Sequence, residues 1–112
     1  MKLFKLTKSL MNIPSVSGEE EAVGVWLRDY LESLGWTVEL QQVGEERTGV
    51  SAFRQNNVIA YLNESPRVWF STHMDTVPPF IAPSETDEKI YGRGSCDAKG
   101  IIAAQITAAE QL

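Results

Sequence analysis

Along the chain the spacing of apolar residues changes period several times, and each change predicts a different element. Residues 2–12 set Leu3, Phe4, Leu6, Leu10 and Met11 among lysines at helical spacing. Pro14, which lacks a backbone donor and clashes with the preceding turn, forbids continuation, so a first helix of about ten residues is predicted. Ser17 followed by Glu20 has the form of a capping box, and the acidic run Glu19, Glu20, Glu21 puts negative charge where a helix dipole favours it. A second helix is therefore predicted over residues 18–34. Its inward stripe carries Ala22, Val23, Trp26, Leu27, Tyr30, Leu31 and Leu34, with Gly35 placed to end it.

From residue 36 the period falls to two. Trp36, Val38 and Leu40 fall on one face and Thr37, Glu39 and Gln41 on the other, which predicts a half-buried strand over 36–43. A polar turn is expected at 44–49, followed by β-rich runs at 57–62 and 67–71 that should lie antiparallel, whether or not another strand separates them. Val68, Trp69 and Phe70 form an unbroken apolar run, the mark of a strand covered on both faces, and it leads into the polar Thr72-His73-Met74-Asp75. Pro78, Pro79 and Pro83 predict an irregular loop, Ile90-Tyr91 a short extended piece, and Gly92 and Gly94 a tight turn. In the closing helix, 98–112, Ile101, Ile102, Ala104, Ile106 and Ala109 leave little polar circumference. Such a helix needs partners on several sides, so the chain is expected to be the front of a larger domain.

Composition works mainly by exclusion. A chain of 112 residues and 12.5 kDa is long enough for one domain and too short for two, and surface scaling gives it about 6,200 Å² when compact. The net charge of -5, with basic residues scattered, offers no footprint for nucleic acid. Lys2, Lys5 and Lys8 read as a solvated helix face. Apolar stretches are too short for a bilayer and the start lacks a signal-peptide core, so no membrane association and a cytoplasmic location are expected. The single cysteine, Cys96, cannot form an internal bridge and suits a reducing compartment.

His73 and Asp75 are the first candidates for chemistry. Two apart in an extended segment, they project from one face about 7 Å apart at the backbone. Asp75 can then accept a hydrogen bond from one ring nitrogen while the other faces a metal. Alone, a His-x-Asp is more often a structural pair. The second segment is Tyr91-Gly92-Arg93-Gly94-Ser95-Cys96-Asp97-Ala98-Lys99-Gly100, whose glycines can force a turn that presents Asp97 at the head of the last helix. Helix capping by Asp97 would not require that glycine bracket.

Together, Ser71-Thr72-His73-Met74-Asp75-Thr76-Val77-Pro78 and Gly92-Arg93-Gly94-Ser95-Cys96-Asp97-Ala98-Lys99-Gly100 resemble the M20 family of metallopeptidases and amidohydrolases. That family includes acetylornithine deacetylase, succinyl-diaminopimelate desuccinylase, aminoacylase and carboxypeptidase G. The likeness extends more loosely to Ile13-Pro14-Ser15-Val16-Ser17-Gly18-Glu19-Glu20 and Asn57-Val58-Ile59-Ala60. It implies an α/β, zinc-exopeptidase-like domain with a mixed β-sheet flanked by helices. Residues 1–112 would be the N-terminal portion of the zinc-binding catalytic domain, with the remaining catalytic segment and the lid or dimerisation domain absent.

By position, the resemblance makes His73 a metal ligand, Asp75 the acidic residue that steadies it, and Asp97 a carboxylate bridging two metals, followed by a cis peptide bond to Ala98. It implies two zinc ions in the complete enzyme, with cobalt a possible substitute, and a homodimer. The reaction would be hydrolysis of an amide bond in a small N-acyl amino acid or dipeptide, and Gly94-Ser95-Cys96-Asp97 leans toward acetylornithine deacetylase. The family's general base, an adjacent glutamate pair, and its further ligands come later than Asp97. Glu19-Glu20 and Glu45-Glu46 precede His73 and read as solvated residues, so the chain by itself is expected to be inactive. The alternative is a non-catalytic remnant that uses the fold for association. Cys96 is expected to pack beneath its turn, Arg93 and Lys99 to make structural salt bridges, and Trp26, Trp36 and Trp69 to belong to the core.

Overall fold

Three apolar helix stripes meet in the centre of the molecule. The computed structural model describes residues 2–43 and 55–112. Its elements, in order, are α1 (Leu3–Met11), α2 (Glu21–Ser33), β1 (Thr37–Gln42), β2 (Asn56–Tyr61), β3 (Ser84–Glu85), β4 (Ile90–Tyr91) and α3 (Lys99–Glu110). Leu6 and Leu10 of α1, Val23, Leu27 and Leu31 of α2, and Ile102, Ala103 and Ile106 of α3 form one buried cluster. Burying each large aliphatic side chain contributes about 1.5–3 kcal/mol, so this cluster is the main source of cohesion. Helix α1 packs on α3, and α2 lies across β1 and β2.

Strands β1 and β2 pair antiparallel from Thr37↔Tyr61 to Gln42↔Asn56. The register sets Val38 opposite Ala60, and Trp36, Val38, Val58 and Ala60 pack against the helical core as the period-two pattern requires. Strands β3 and β4 form a second antiparallel pair, Ser84↔Tyr91 and Glu85↔Ile90. Parallel pairing occurs at an isolated bridge between Val16 and Thr76. The class is α/β, with both senses of pairing present. No described helix is long and apolar enough to cross a membrane.

Three local expectations differ from the structure. First, the capping box does not form. Helix α2 starts at Glu21 behind Glu20, without a side-chain cap, because the Ser17 hydroxyl is turned to Asp75. Second, residues 67–71 are not a strand: Val68, Trp69 and Phe70 are 70%, 65% and 52% exposed. A strand needs a ladder partner, and no described strand pairs with this run, so Trp69 is not in the core. Third, α3 buries one stripe, Lys99, Ile102, Ala103, Ile106 and Ala109, and leaves Ile101 exposed. The total surface is 7325 Å², above the figure of about 6,200 Å² for a compact chain of this mass, and the open 68–70 run is part of that surplus. The turn expected at 44–49 lies outside the described residues.

Candidate metal centre

The segment around His73 belongs to no extended ladder, yet it is firmly held. The loop after α1 runs beside it: Thr76 N–H donates to Ser15 O at 2.8 Å and Ser17 N–H to Thr76 O at 3.2 Å. The Ser15 hydroxyl donates to Met74 O at 2.7 Å. Ser15 and Thr76 are buried, so their polar groups need these partners, and breaking one would leave a buried group unsatisfied at about 1–3 kcal/mol.

The glycine turn is pressed against the same segment. Gly94 has φ +89, and a Cβ there would lie 3.2 Å from both Thr76 Cγ2 and Lys99 Cδ. Glycine is thus needed for its backbone angle and for close approach to the residue next to Asp75. The Gly94 carbonyl accepts from Lys99 N–H at 2.9 Å and Gly100 N–H at 3.3 Å, which closes the turn onto the start of α3. The peptide bond between Asp97 and Ala98 is cis, as the resemblance implied. Asp97 does not cap α3: the capping position is Ala98, just before Lys99, and no side chain caps the helix there.

These contacts bring together residues that are 24 apart in sequence: His73 Nε2 lies 2.7 Å from Asp97 Oδ1. The other ring nitrogen, Nδ1, lies 3.0 Å from Asp75 Oδ1 and 3.1 Å from the Asp75 carbonyl oxygen. Asp75 is held from behind, with Ser17 Oγ donating to Oδ2 at 2.5 Å. His73, Asp75 and Asp97 side chains are 50%, 35% and 80% exposed, so the site opens to solvent. The hydrogen bond with Asp97 raises the imidazole pKa above its usual value; partial burial opposes this, while the Asp75 backbone contact and the charges of Asp75 and Asp97 reinforce it. With both ring nitrogens facing carboxylates, the arrangement favours an imidazolium.

The donor types suit a metal ion. Two ligands of a tetrahedral zinc, each about 2.0–2.1 Å from it, sit about 3.3 Å apart, so the 2.7 Å between Nε2 and Oδ1 needs to open only slightly. A cation would take the place of the proton between them. Among the described residues no three His, Cys, Asp or Glu side chains converge into a group that could hold a metal ion. His73 and Asp75 also line a broad cleft of about 1,330 Å³ together with Trp36, Trp69, Phe70 and Ile106.

The neighbouring residues depart from expectation. Cys96 is exposed and does not pack beneath the turn, where the Lys99 chain lies against Gly94. Lys99 is 1% exposed and makes no salt bridge among the described residues; its Nζ donates to Ile13 O at 2.5 Å, and burial lowers its pKa to about 8. Arg93 likewise uses its guanidinium on a carbonyl, with Nε donating to Pro79 O at 3.1 Å. Glu20 is not simply solvated, since Oε1 accepts from Gly18 N–H at 2.8 Å and Oε2 is buried without a hydrogen-bond partner among the described residues. Glu45 and Glu46 lie outside the described residues. Ser17 was missed as a site residue because its spacing to Glu20 reads equally well as a cap.

Comparison with known proteins supplies the context for this geometry. Residues 69–112, which contain both motifs, match peptidase family M20/M25/M40. A peptidase M20 domain-containing protein of Schizosaccharomyces pombe is 46% identical over 112 residues, covering 98% of this chain and 27% of the relative. A protein of Arthroderma otae named "probable carboxypeptidase" is 42% identical, covering 96% of this chain and 27% of the relative. Another of that name from Emericella nidulans is 46% identical, with 93% and 25% covered. The chain thus spans about a quarter of the length of these curated relatives.

Proposed function

Because the chain belongs to peptidase family M20/M25/M40, we propose that it is the N-terminal portion of a metal-dependent catalytic domain that hydrolyses peptide or other amide C–N bonds. His73 and Asp97 are the two metal ligands it contributes, and Asp75 is the residue that orients His73. The single observation that carries the reading is the approach of His73 Nε2 to Asp97 Oδ1 at 2.7 Å with Asp75 behind the ring. Zinc is the proposed ion, two per complete site, and cobalt is an alternative. When bound, such ions activate water and polarise the scissile carbonyl.

The chain's own residues set up that chemistry. By accepting Nδ1–H, Asp75 fixes the tautomer in which the Nε2 lone pair is free, and it increases the basicity of the ring. Asp97 brings a second carboxylate oxygen, able to reach a neighbouring cation. Proton transfer to the leaving amine requires a further carboxylate positioned as general base, and neither Asp75 nor Asp97 is free for that role. The proposed substrate is a small peptide with a free carboxyl terminus, in keeping with the relatives named "probable carboxypeptidase". The lean of Gly94-Ser95-Cys96-Asp97 toward acetylornithine deacetylase finds no support in those names.

The test has two parts. Zinc titrated into the chain should bind weakly at His73, with Asp97→Ala abolishing that binding and Asp75→Asn weakening it about 10 to 100-fold. By itself the chain should give no turnover of short peptides or N-acetyl amino acids, since a catalytic zinc usually takes three protein ligands. Zinc binding unaffected by Asp97→Ala would refute the ligand assignment.

A further inference from the structure

The hydrogen-bond chain that reaches Nδ1 of His73, the ring nitrogen opposite Asp97, starts at a residue that the family motifs around His73 and Asp97 do not include. Building on the metal-site reading above, we infer that Ser17 is a positioning residue, acting on His73 through Asp75. Its hydroxyl donates to Asp75 Oδ2 at 2.5 Å while Oδ1 of the same carboxylate lies 3.0 Å from His73 Nδ1. A carboxylate turns readily about its last torsion, which is broad and roughly two-fold. Engaged on both oxygens from different sides, it has one orientation left, and that orientation sets the plane of the imidazole.

Ser17 can hold Asp75 because both are fixed to one backbone frame. Ser17 N–H donates to Thr76 O at 3.2 Å, Thr76 N–H donates to Ser15 O at 2.8 Å, and Val16 bridges Thr76. Gly18, with φ +96, turns the chain away immediately afterwards, so the hydroxyl stays beside Asp75 and does not reach the first turn of α2. The competing role as helix cap is vacant, since α2 has no side-chain cap. A hydroxyl is also the suitable donor, because it orients the carboxylate without cancelling the negative charge that attracts Nδ1–H. A lysine or arginine in its place would compete with the imidazole for that charge.

The chain contains a single histidine, so ¹⁵N-histidine labelling reports on His73 alone. The Nδ1–H proton signal is recorded for the full chain without metal, and zinc affinity is measured in parallel, for wild type, Ser17→Ala and Ser17→Thr. In Ser17→Ala the Nδ1–H signal should move upfield and exchange faster with water, and zinc affinity should fall by about tenfold, the lower end for loss of an outer hydrogen-bond partner. Ser17→Thr should restore both. Ser17 is exposed, so the substitutions need not disturb the core. Should Ser17→Ala fail to fold, Ser17→Thr and Ser17→Val, nearly equal in volume and differing in the hydroxyl, carry the same comparison. An Nδ1–H signal unchanged by loss of the hydroxyl overturns the inference, whatever zinc does. If instead that signal changes while zinc leaves the wild-type ring nitrogens unaffected, the positioning role stands and the metal-ligand reading falls.

Discussion

Replacing Gly100 by alanine sets two effects of opposite sign against each other. Gly100 is the second residue of α3, and alanine is favoured over glycine within a helix by about 1 kcal/mol. Against that, a Cβ at Gly100 would lie 2.1 Å from the Ser95 carbonyl oxygen and 3.3 Å from its carbon, both of them backbone atoms. Ordinary contact begins at about 3.5 Å, so the turn would have to retreat by more than about 1 Å. Overpacking of this kind costs about 1–3 kcal/mol, and the retreat also loosens the bonds from Lys99 and Gly100 N–H to Gly94 O, each contributing about 0.5–1.5 kcal/mol. The clash therefore wins, with a net loss of about 2 kcal/mol. Gly24→Ala is the matched control. Its Cβ also meets an oxygen at 2.1 Å, but this is Asn56 Oδ1, the tip of a side chain whose Cγ and Nδ2 lie at 3.0 and 3.1 Å, and that oxygen has no hydrogen-bond partner among the described residues. Rotation relieves the clash, so Gly24→Ala should be neutral or stabilising by up to about 1 kcal/mol. Urea unfolding followed by tryptophan fluorescence separates the two, and the His73 ring signals should shift only in Gly100→Ala as Asp97 moves away. A Gly100→Ala chain as stable as wild type, or two variants equally destabilised, would refute the contact argument.

Asp97→Asn removes the main cause of the raised His73 pKa, so the imidazole titration followed by NMR should move down toward its ordinary range. A group with its pKa raised on folding stabilises fully below its unfolded pKa of about 6.5 and loses that contribution as pH rises through the folded value, so wild type and Asp97→Asn should differ in stability more at about pH 5 than at about pH 8. Lys99 behaves in the opposite sense. Its folded pKa of about 8 lies below the unfolded value, so the burial cost is fully present at neutral pH and is relieved as pH climbs above 8. Urea midpoints compared across about pH 7.5 to 9.5 should therefore rise in wild type relative to Lys99→Met, and parallel pH profiles would count against the buried ammonium.

The helices were readable because their information is local. Pro14 and Gly35 punctuate the chain, and Leu6, Leu10, Leu27 and Leu31 recur at the period that buries them. The His73–Asp75 contact was readable for the same reason, since alternation in an extended segment puts both on one face. The meeting of His73 and Asp97 is non-local, and it was legible only as a family resemblance. The run 67–71 was misjudged because an unbroken apolar stretch records what a segment can bury and says nothing about which ladder pairs with it. Ser17, Lys99 and Arg93 were misassigned because one side chain has several possible partners. The hydroxyl chose a carboxylate over a helix end, and both cations chose backbone carbonyls over carboxylates.

Those carbonyl contacts explain how a site without a strand ladder keeps its geometry. Lys99 runs its alkyl chain along Gly94 and ends on Ile13 O, which ties the start of α3 to the end of the α1 loop. Two residues further on, Ser15 holds Met74 O with its hydroxyl and Thr76 N–H with its carbonyl, so the same loop fixes both sides of Asp75. Thr76 then returns to Gly94 through its methyl group. The circuit is closed by buried polar side chains, each of which would be costly if its partner moved, and this penalty gives the arrangement its stiffness. His73 and Asp97 project from the open side of that ring into solvent. Exposure leaves their distance free to open by the roughly 0.6 Å that the proposed ion would require in place of the proton, without movement of their backbones.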